Sequence, residues 1–253
     1  MDVHYYPHLN HESKTGKEFF VQFLMIFLAV TLGFFAENVR ENYAEKAKAK
    51  EYAQLLYDDL KADTTVIQRT YLEKAWMEAK FDSAESILAS ADLYENNEFL
   101  YYIDKYLSLN NIFISRDGTY QQLRSSGSLR YIKNIRLSKK ITDYYSFYSR
   151  YQSIDGNIDS KADHDLERIE VKLFNARDLS SLTNHKGTDF YTLVLRPVVK
   201  LKPIYRNTDD LKLFYLKVDH AKNQCSDSRL YLGKLKGYAA DIMKDLKKEY
   251  KLK

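Results

Sequence analysis

The sequence predicts an all-α protein: one N-terminal transmembrane helix followed by a helical bundle or elongated helical hairpin domain. Three observations carry the prediction. Phe19 to Ala36 contains no charged residue. Glycine and proline number only 8 and 3 among 253 residues, whereas average usage puts the pair near ~12%. Beyond the apolar run, hydrophobic residues recur at steps of three and four through long stretches that lack both turn formers. Sandwiches and barrels need frequent Gly, Pro and Asn turns, so this composition argues against them.

The apolar run reads as an uncleaved signal anchor over 19–36, after a short polar tail at 1–18. As a helix it is about 27 Å long at 1.5 Å per residue, close to the roughly 30 Å of bilayer hydrocarbon. It is apolar all round, where a surface helix of a soluble domain would show a polar face. A cleaved signal peptide has a shorter apolar region and a small-x-small site. Here the run leads instead into Phe34-Phe35-Ala36-Glu37-Asn38. Ala29 and Gly33 form a small-xxx-small pair of the kind that lets membrane helices approach closely. Ordinary membrane-helix composition explains the pair as well. Orientation is open on charge alone. Lys14 and Lys17 precede the run, while Arg40, Lys46, Lys48 and Lys50 follow it. That count favours a cytoplasmic C-terminal side, although large domains translocate regardless of charge.

The remainder, 37–253, reads as a mostly helical extramembrane domain. Tyr52, Leu55, Leu56, Leu60, Val66, Ile67, Tyr71 and Trp76 keep helical spacing. Asp63-Thr64-Thr65 suits a helix break, because these types cap N-termini. A short helix is expected over Asn96–Leu109. Asp117-Gly118 marks a turn, Thr119 suits a cap, and Gly127 suits the left-handed position that ends a helix. A long helix is expected from Leu137 or Ser138 to Leu173, with Ile141, Tyr145, Tyr148, Tyr151, Ile158, Ala162, Leu166, Ile169 and Leu173 as its stripe. Thr188–Tyr205 is β-branched yet interrupted by Pro197 and Pro203, so a helix and a short strand both remain open. Two C-terminal helices follow, about Thr208–Asn223 and Ser226–Tyr250.

Composition bounds the function. The net charge of +4 is mild, and the charges are mixed along the chain with no contiguous block of six like-charged residues. Nucleic-acid binders concentrate basic residues on one face, and Lys46, Lys48 and Lys50 read as a solvated helix face, so no nucleic-acid partner is expected. The single Cys225 rules out an intramolecular disulfide and leaves the compartment open. Tyrosine is abundant, with 22 residues. Its amphipathic ring suits helix faces that bury carbon and keep the hydroxyl wet.

No catalytic constellation emerges: HExxH, GxSxG, Walker and GxGxxG patterns are absent. His4, His8 and His11 have ligand-like spacing, but a short polar tail supplies neither a fourth ligand nor a supporting shell. His164, His185 and His220 are isolated. Asp58, Asp59 and Asp63 are expected to face water. No cofactor and no enzymatic activity are inferred. Arg124, Ser125, Ser126 and Gly127 form the best candidate binding loop, since N–H groups beside a left-handed glycine can form an anion nest. A helix stop explains the same residues.

Two stretches carry a family resemblance. One is EFFVQFLMIFLAVTLGFFAENVRE followed by KEYAQLLYDDLKADT; the other is TYQQLRSSGSLRYIKNIRLSKKITDYY. With the Leu-x-x-Asp-Leu-x-x-Asp pattern ending at Asp63 and the Leu-x-Ser-Ser-Gly segment Leu123–Gly127, the chain resembles uncharacterised single-pass membrane proteins of Bacteroidota, grouped as a domain of unknown function. The resemblance covers about half of the chain. It implies an inner-membrane anchor with the C-terminal domain periplasmic, and it implies no activity. Family tails are strongly basic, whereas this one holds two lysines. The expected function is a membrane-anchored interaction or scaffold protein of the cell envelope, with the lipid bilayer and a protein partner or second copy as its contacts. The alternative is a ligand-binding or sensor module that uses the Ser-Ser-Gly loop.

Overall fold

A computed structural model describes residues 16–94, 97–107, 112–155, 160–184, 195–196 and 200–252. It is all-α apart from one minimal strand pair. The helices are α1 (Gly16–Leu88), α2 (Asn97–Leu107), α3 (Gly118–Ser125), α4 (Ile135–Asp155), α5 (Ser160–Leu173), α6 (Ala176–Ser181) and α7 (Thr208–Tyr250). Single 3₁₀ turns occupy Ala91–Tyr94 and Ser128–Tyr131. Strand β1 (Thr183–Asn184) pairs antiparallel with β2 (Leu195–Arg196). The short strand foreseen within Thr188–Tyr205 is therefore present at Leu195–Arg196.

Two compact units divide the chain, Met1–Glu51 and Tyr52–Lys253. In the first, α1 contains one segment near the N-terminus long and apolar enough to cross a membrane, and none of it is buried. Thr31 donates to the Phe27 carbonyl at 2.7 Å, so its hydroxyl is satisfied within the helix. Arg40 pairs with Glu37 just past the apolar run. Among the described residues, exposure of every large apolar side chain from Phe19 to Phe35 argues against a core helix within this chain.

The second unit packs two adjoining cores. The first joins Leu56, Leu60 and Ile67 of α1 to Leu123 of α3, Ile141 and Tyr144 of α4, and Leu235, Ile242 and Leu246 of α7. The second joins Phe81 and Ala84 of α1 to Leu100 and Ile103 of α2, Leu173 of α5, and Phe214 and Val218 of α7. Helices α1 and α7 run antiparallel: Lys222 meets Glu85, Arg229 meets Glu78, and Lys236 meets Gln68. These pairs lie between the cores and along their edges, where solvent keeps their energetic weight small.

Several expectations change. No break occurs at Asp63-Thr64-Thr65. Thr64 and Thr65 turn their hydroxyls back onto the Lys61 carbonyl, at 2.8 and 3.3 Å, which leaves the helix ladder intact. The two C-terminal helices are one, because the buried stripe Phe214, Val218, Cys225, Leu232, Leu235 and Ala239 continues across the expected gap. Of the long helix expected from Leu137 to Leu173, the described parts are α4 and α5; residues 156–159, with Ile158, lie outside the described residues. Of the expected stripe, Ile141, Tyr145, Tyr148, Tyr151, Leu166, Ile169 and Leu173 are buried, and Leu137 and Tyr144 join them. Helix α4 begins at Ile135, where the Asn134 side chain accepts from the Leu137 N–H at 3.2 Å. Tyrosine also departs from the wet-hydroxyl expectation: Tyr101, Tyr144 and Tyr151 are fully buried. Their hydroxyls meet Asn175 N, Asp63 and Phe113 N respectively.

Candidate functional site

The Arg124–Gly127 loop is built as a helix stop. Gly127 has φ of 67°, the left-handed region that glycine enters without a Cβ penalty. The Ser126 N–H bonds the Gln122 carbonyl at 3.0 Å, and the Gly127 N–H bonds the Arg124 carbonyl at 3.4 Å. The Ser128 N–H meets Ser126 Oγ at 3.3 Å. The N–H groups an anion would need are therefore engaged inside the turn, and the loop does not form an open nest. Ser126 Oγ also donates to the Gln122 carbonyl at 2.7 Å, and Ser125 Oγ meets that carbonyl at 3.3 Å.

Arg124 itself borders a small polar cleft of about 170 Å³ between α3 and α4, lined by Asp117, Gln121, Arg124, Ser146, Ser149 and Gln152. Its floor is aromatic: Tyr120 and Tyr145 stack with centroids 4.1 Å apart and planes 9° from parallel. The Tyr145 hydroxyl is buried without a hydrogen-bond partner. Burial, followed by the charges of Asp63, Asp59 and Asp117, pushes its phenol above the ordinary tyrosine range. Two polar groups of the lining are already committed. Gln121 donates to Asp117 at 2.9 Å, and Gln152 donates to the Tyr148 hydroxyl at 2.5 Å.

The acidic residue expected in water is the best-connected group of the first core. Asp63 is 1% exposed. It accepts from the Ser115 hydroxyl, from the Arg116 N–H at 2.9 Å and from the Tyr144 hydroxyl at 3.3 Å. Burial pushes its carboxyl above the usual range; the Ser115, Arg116 and Tyr144 bonds oppose that. One turn earlier, Asp59 accepts from the Thr119 hydroxyl at 2.5 Å. Thr119 thus ties α3 to α1, and the N-cap of α3 is Asp117, whose side chain makes no cap bond. Asp58 does face water. Periodicity held the signal: Asp63 follows Leu60 by three and precedes Ile67 by four, which places it on the buried stripe. The group is a clasp between α1, the segment after α2, and α4.

A second buried carboxyl lies in the other core. Asp104 of α2 is fully buried, and neither oxygen meets an N–H or O–H donor. Desolvation, followed by the charge of the neighbouring Glu170, pushes its carboxyl up to about 8. Periodicity held the signal here too: Asp104 follows Leu100 by four and precedes Leu107 by three, which places it on the inner face of α2.

The remaining candidates stay apart from these groups. Ala29 and Gly33 lie in the exposed apolar segment of the first unit, and a Cβ on Gly33 would meet nothing of its own chain. His4, His8, His11 and His185 lie outside the described residues, and His220 is exposed on α7. Among the described residues, no three His, Cys, Asp or Glu side chains gather in a way that could hold a metal ion. Protein-family models, curated proteins and solved structures were all compared with the chain, and none matched.

Proposed function

We propose that this protein is a membrane-anchored helical interaction or scaffold protein of the bacterial cell envelope. The observation that supports the reading most directly is the apolar segment of α1, which none of the described residues buries. Leaving that many large side chains in water is costly, at about 25 cal/mol per Å². A bilayer removes the cost. The described helices of the second unit offer exposed faces, and its buried Asp63 ties three segments together. We take the anchor to be single-pass, in the inner membrane, with the C-terminal domain periplasmic, as its likeness to the Bacteroidota membrane proteins suggests. Its partner would be a second protein or another copy of the chain. Topology mapping with C-terminal reporters active in one compartment tests the orientation; a cytoplasmic C-terminus overturns it. Crosslinking in native membranes tests the interaction, and a chain that stays monomeric and captures no partner removes its support.

A ligand-binding module is the second reading, favoured by the polar cleft beside Arg124 and the unpartnered Tyr145 hydroxyl at its floor. In this form the cleft, rather than the Ser-Ser-Gly backbone, would hold a small polar molecule. Thermal-shift screening of polar metabolites against the full chain and Arg124→Ala tests it. Ligands that stabilise both proteins equally would count against the cleft.

A further inference from the structure

A basic surface forms from cations that are spread along the sequence. From Gly118 to Thr142 there are six basic residues and no acidic one. That excess of six exceeds the +4 of the whole chain, so the other residues are net acidic. Apart from the adjacent Lys139 and Lys140, the cations are separated by two to five neutral residues, which is why they read as ordinary helix faces rather than as a block.

The fold gathers most of them at one end of the second unit. Arg130, Lys133, Arg136 and Lys139 are exposed around the 3₁₀ turn Ser128–Tyr131 and the start of α4. The C-terminal end of α7 lies beside them: Asn134 donates to Glu249 at 3.3 Å, and Lys140 pairs with Asp245 at 2.6 Å. That end adds exposed Lys244, Lys247, Lys248 and Lys251. Its acids are Asp241, Asp245 and Glu249. Asp245 is held by Lys140, with the charges of Arg136 and Lys244 also holding its carboxyl low. Helix α4 opens with Arg136 and no acid in its first turn, the reverse of what the helix dipole favours.

An apolar tip stands in the middle of this charge. Ile135 is 84% exposed, more than any large apolar side chain of the candidate membrane segment. Leu129, Arg130, Ile132, Lys133, Ile135 and Ser138 line a shallow cleft of about 330 Å³. Cations ringing an exposed aliphatic group match an anionic lipid surface, where phosphates meet the charges and the aliphatic tip enters the headgroup layer. The end in question is also the one at which the chain enters the unit. Tyr52 packs on the core that contains Ile132, Leu246 and Leu252. Connectivity tethers it to the apolar run: the residues from Ala36 to Tyr52 belong to the one helix α1.

We propose that the basic end formed by Arg130, Lys133, Arg136 and Lys139, with Ile135 as its inserted tip, docks on the anionic lipid surface of the membrane that holds the apolar run. The inference rests on the anchor reading. The test uses the full chain with Ile135→Cys in a Cys225→Ser background, spin-labelled and placed in lipid discs. One set of discs is neutral phosphatidylcholine, and the other contains phosphatidylglycerol. In anionic discs the label should gain contact with oxygen and lose contact with a water-soluble relaxer. About 0.5 M salt should reverse the change, since the Debye length then falls to roughly 4 Å. Replacing Arg130, Lys133 and Arg136 by Ser should weaken docking by roughly fivefold per cation. Entry into discs without a lipid-dependent change overturns the proposal alone, as does an equal change in neutral discs. Failure to enter neutral discs overturns the anchor reading and the proposal with it. Stronger label protection by duplex DNA than by anionic discs would reassign the surface to nucleic acid.

Discussion

Ser115 donates its hydroxyl to the buried carboxylate of Asp63, across 52 residues of chain. With the Arg116 N–H and the Tyr144 hydroxyl on the same carboxylate, the contact pins α4 and the segment before α3 to α1. Asp63→Ala strands three donors in a closed core, and a buried unsatisfied group costs roughly 1–3 kcal/mol. We expect a loss of about 3 kcal/mol in urea unfolding, with little change in m-value. Asp63→Asn keeps one carbonyl acceptor and should cost less. Equal losses for the two variants would show that volume, rather than acceptance, holds the clasp.

Asp63 also shows what the sequence made legible and where it stopped. Its position on the Leu60–Ile67 stripe is readable by counting, yet charge sent it to the surface in the reading of the sequence. The rule that acids face water fails where three donors from distant segments converge, and those donors are 52, 53 and 81 residues away. The all-α class was legible because scarce Gly and Pro and helical spacing are local properties. The left-handed turn at Gly127 was legible for the same reason. The single α7 was not, because Asn223-Gln224-Cys225-Ser226 looks like a loop until α1 provides Glu78 and Glu85 for Arg229 and Lys222 on either side of it. The basic end was hidden similarly: its charges are dispersed in sequence and meet only when α4 lies against α7.

Asp104 sets a pH dependence whose sign follows from its raised pKa. An unfolded aspartate titrates near ~3.9, while folding pushes Asp104 up to about 8. Between those values the folded state holds the extra proton, so stability falls as pH rises and levels off above about 8. Asp104→Asn should flatten that slope in urea titrations taken at steps from pH 5 to 9. It should also stabilise the protein at the alkaline end by on the order of a few kcal/mol. An unchanged slope would place the titration elsewhere, with Glu170, itself raised by burial, as the next residue to replace.

Gly127 isolates a backbone effect. An added Cβ would meet nothing within 4 Å, so Gly127→Ala carries no packing clash and only the left-handed strain, about 1–2 kcal/mol. Thermal unfolding should shift down by a few degrees. Gly127→Asn should recover part of the loss, because asparagine tolerates this region. No shift would mean that the α3 stop relaxes to another turn at no cost.

Leu28 and Gly33 separate insertion from association in the apolar run. Leu28 stands near its middle, where an arginine costs about 2.5–3.5 kcal/mol on insertion scales. Leu28→Arg should move the chain from the alkali-resistant membrane fraction toward the soluble one. Gly33→Ile keeps the run apolar, and its Cβ meets nothing of the same chain within 4 Å. It should leave insertion intact and lower only helix–helix crosslinking in the bilayer, several-fold if Ala29 and Gly33 form the packing face. Unchanged crosslinking in Gly33→Ile would leave the small pair as plain membrane-helix composition and direct the search for an oligomer contact to the helical unit.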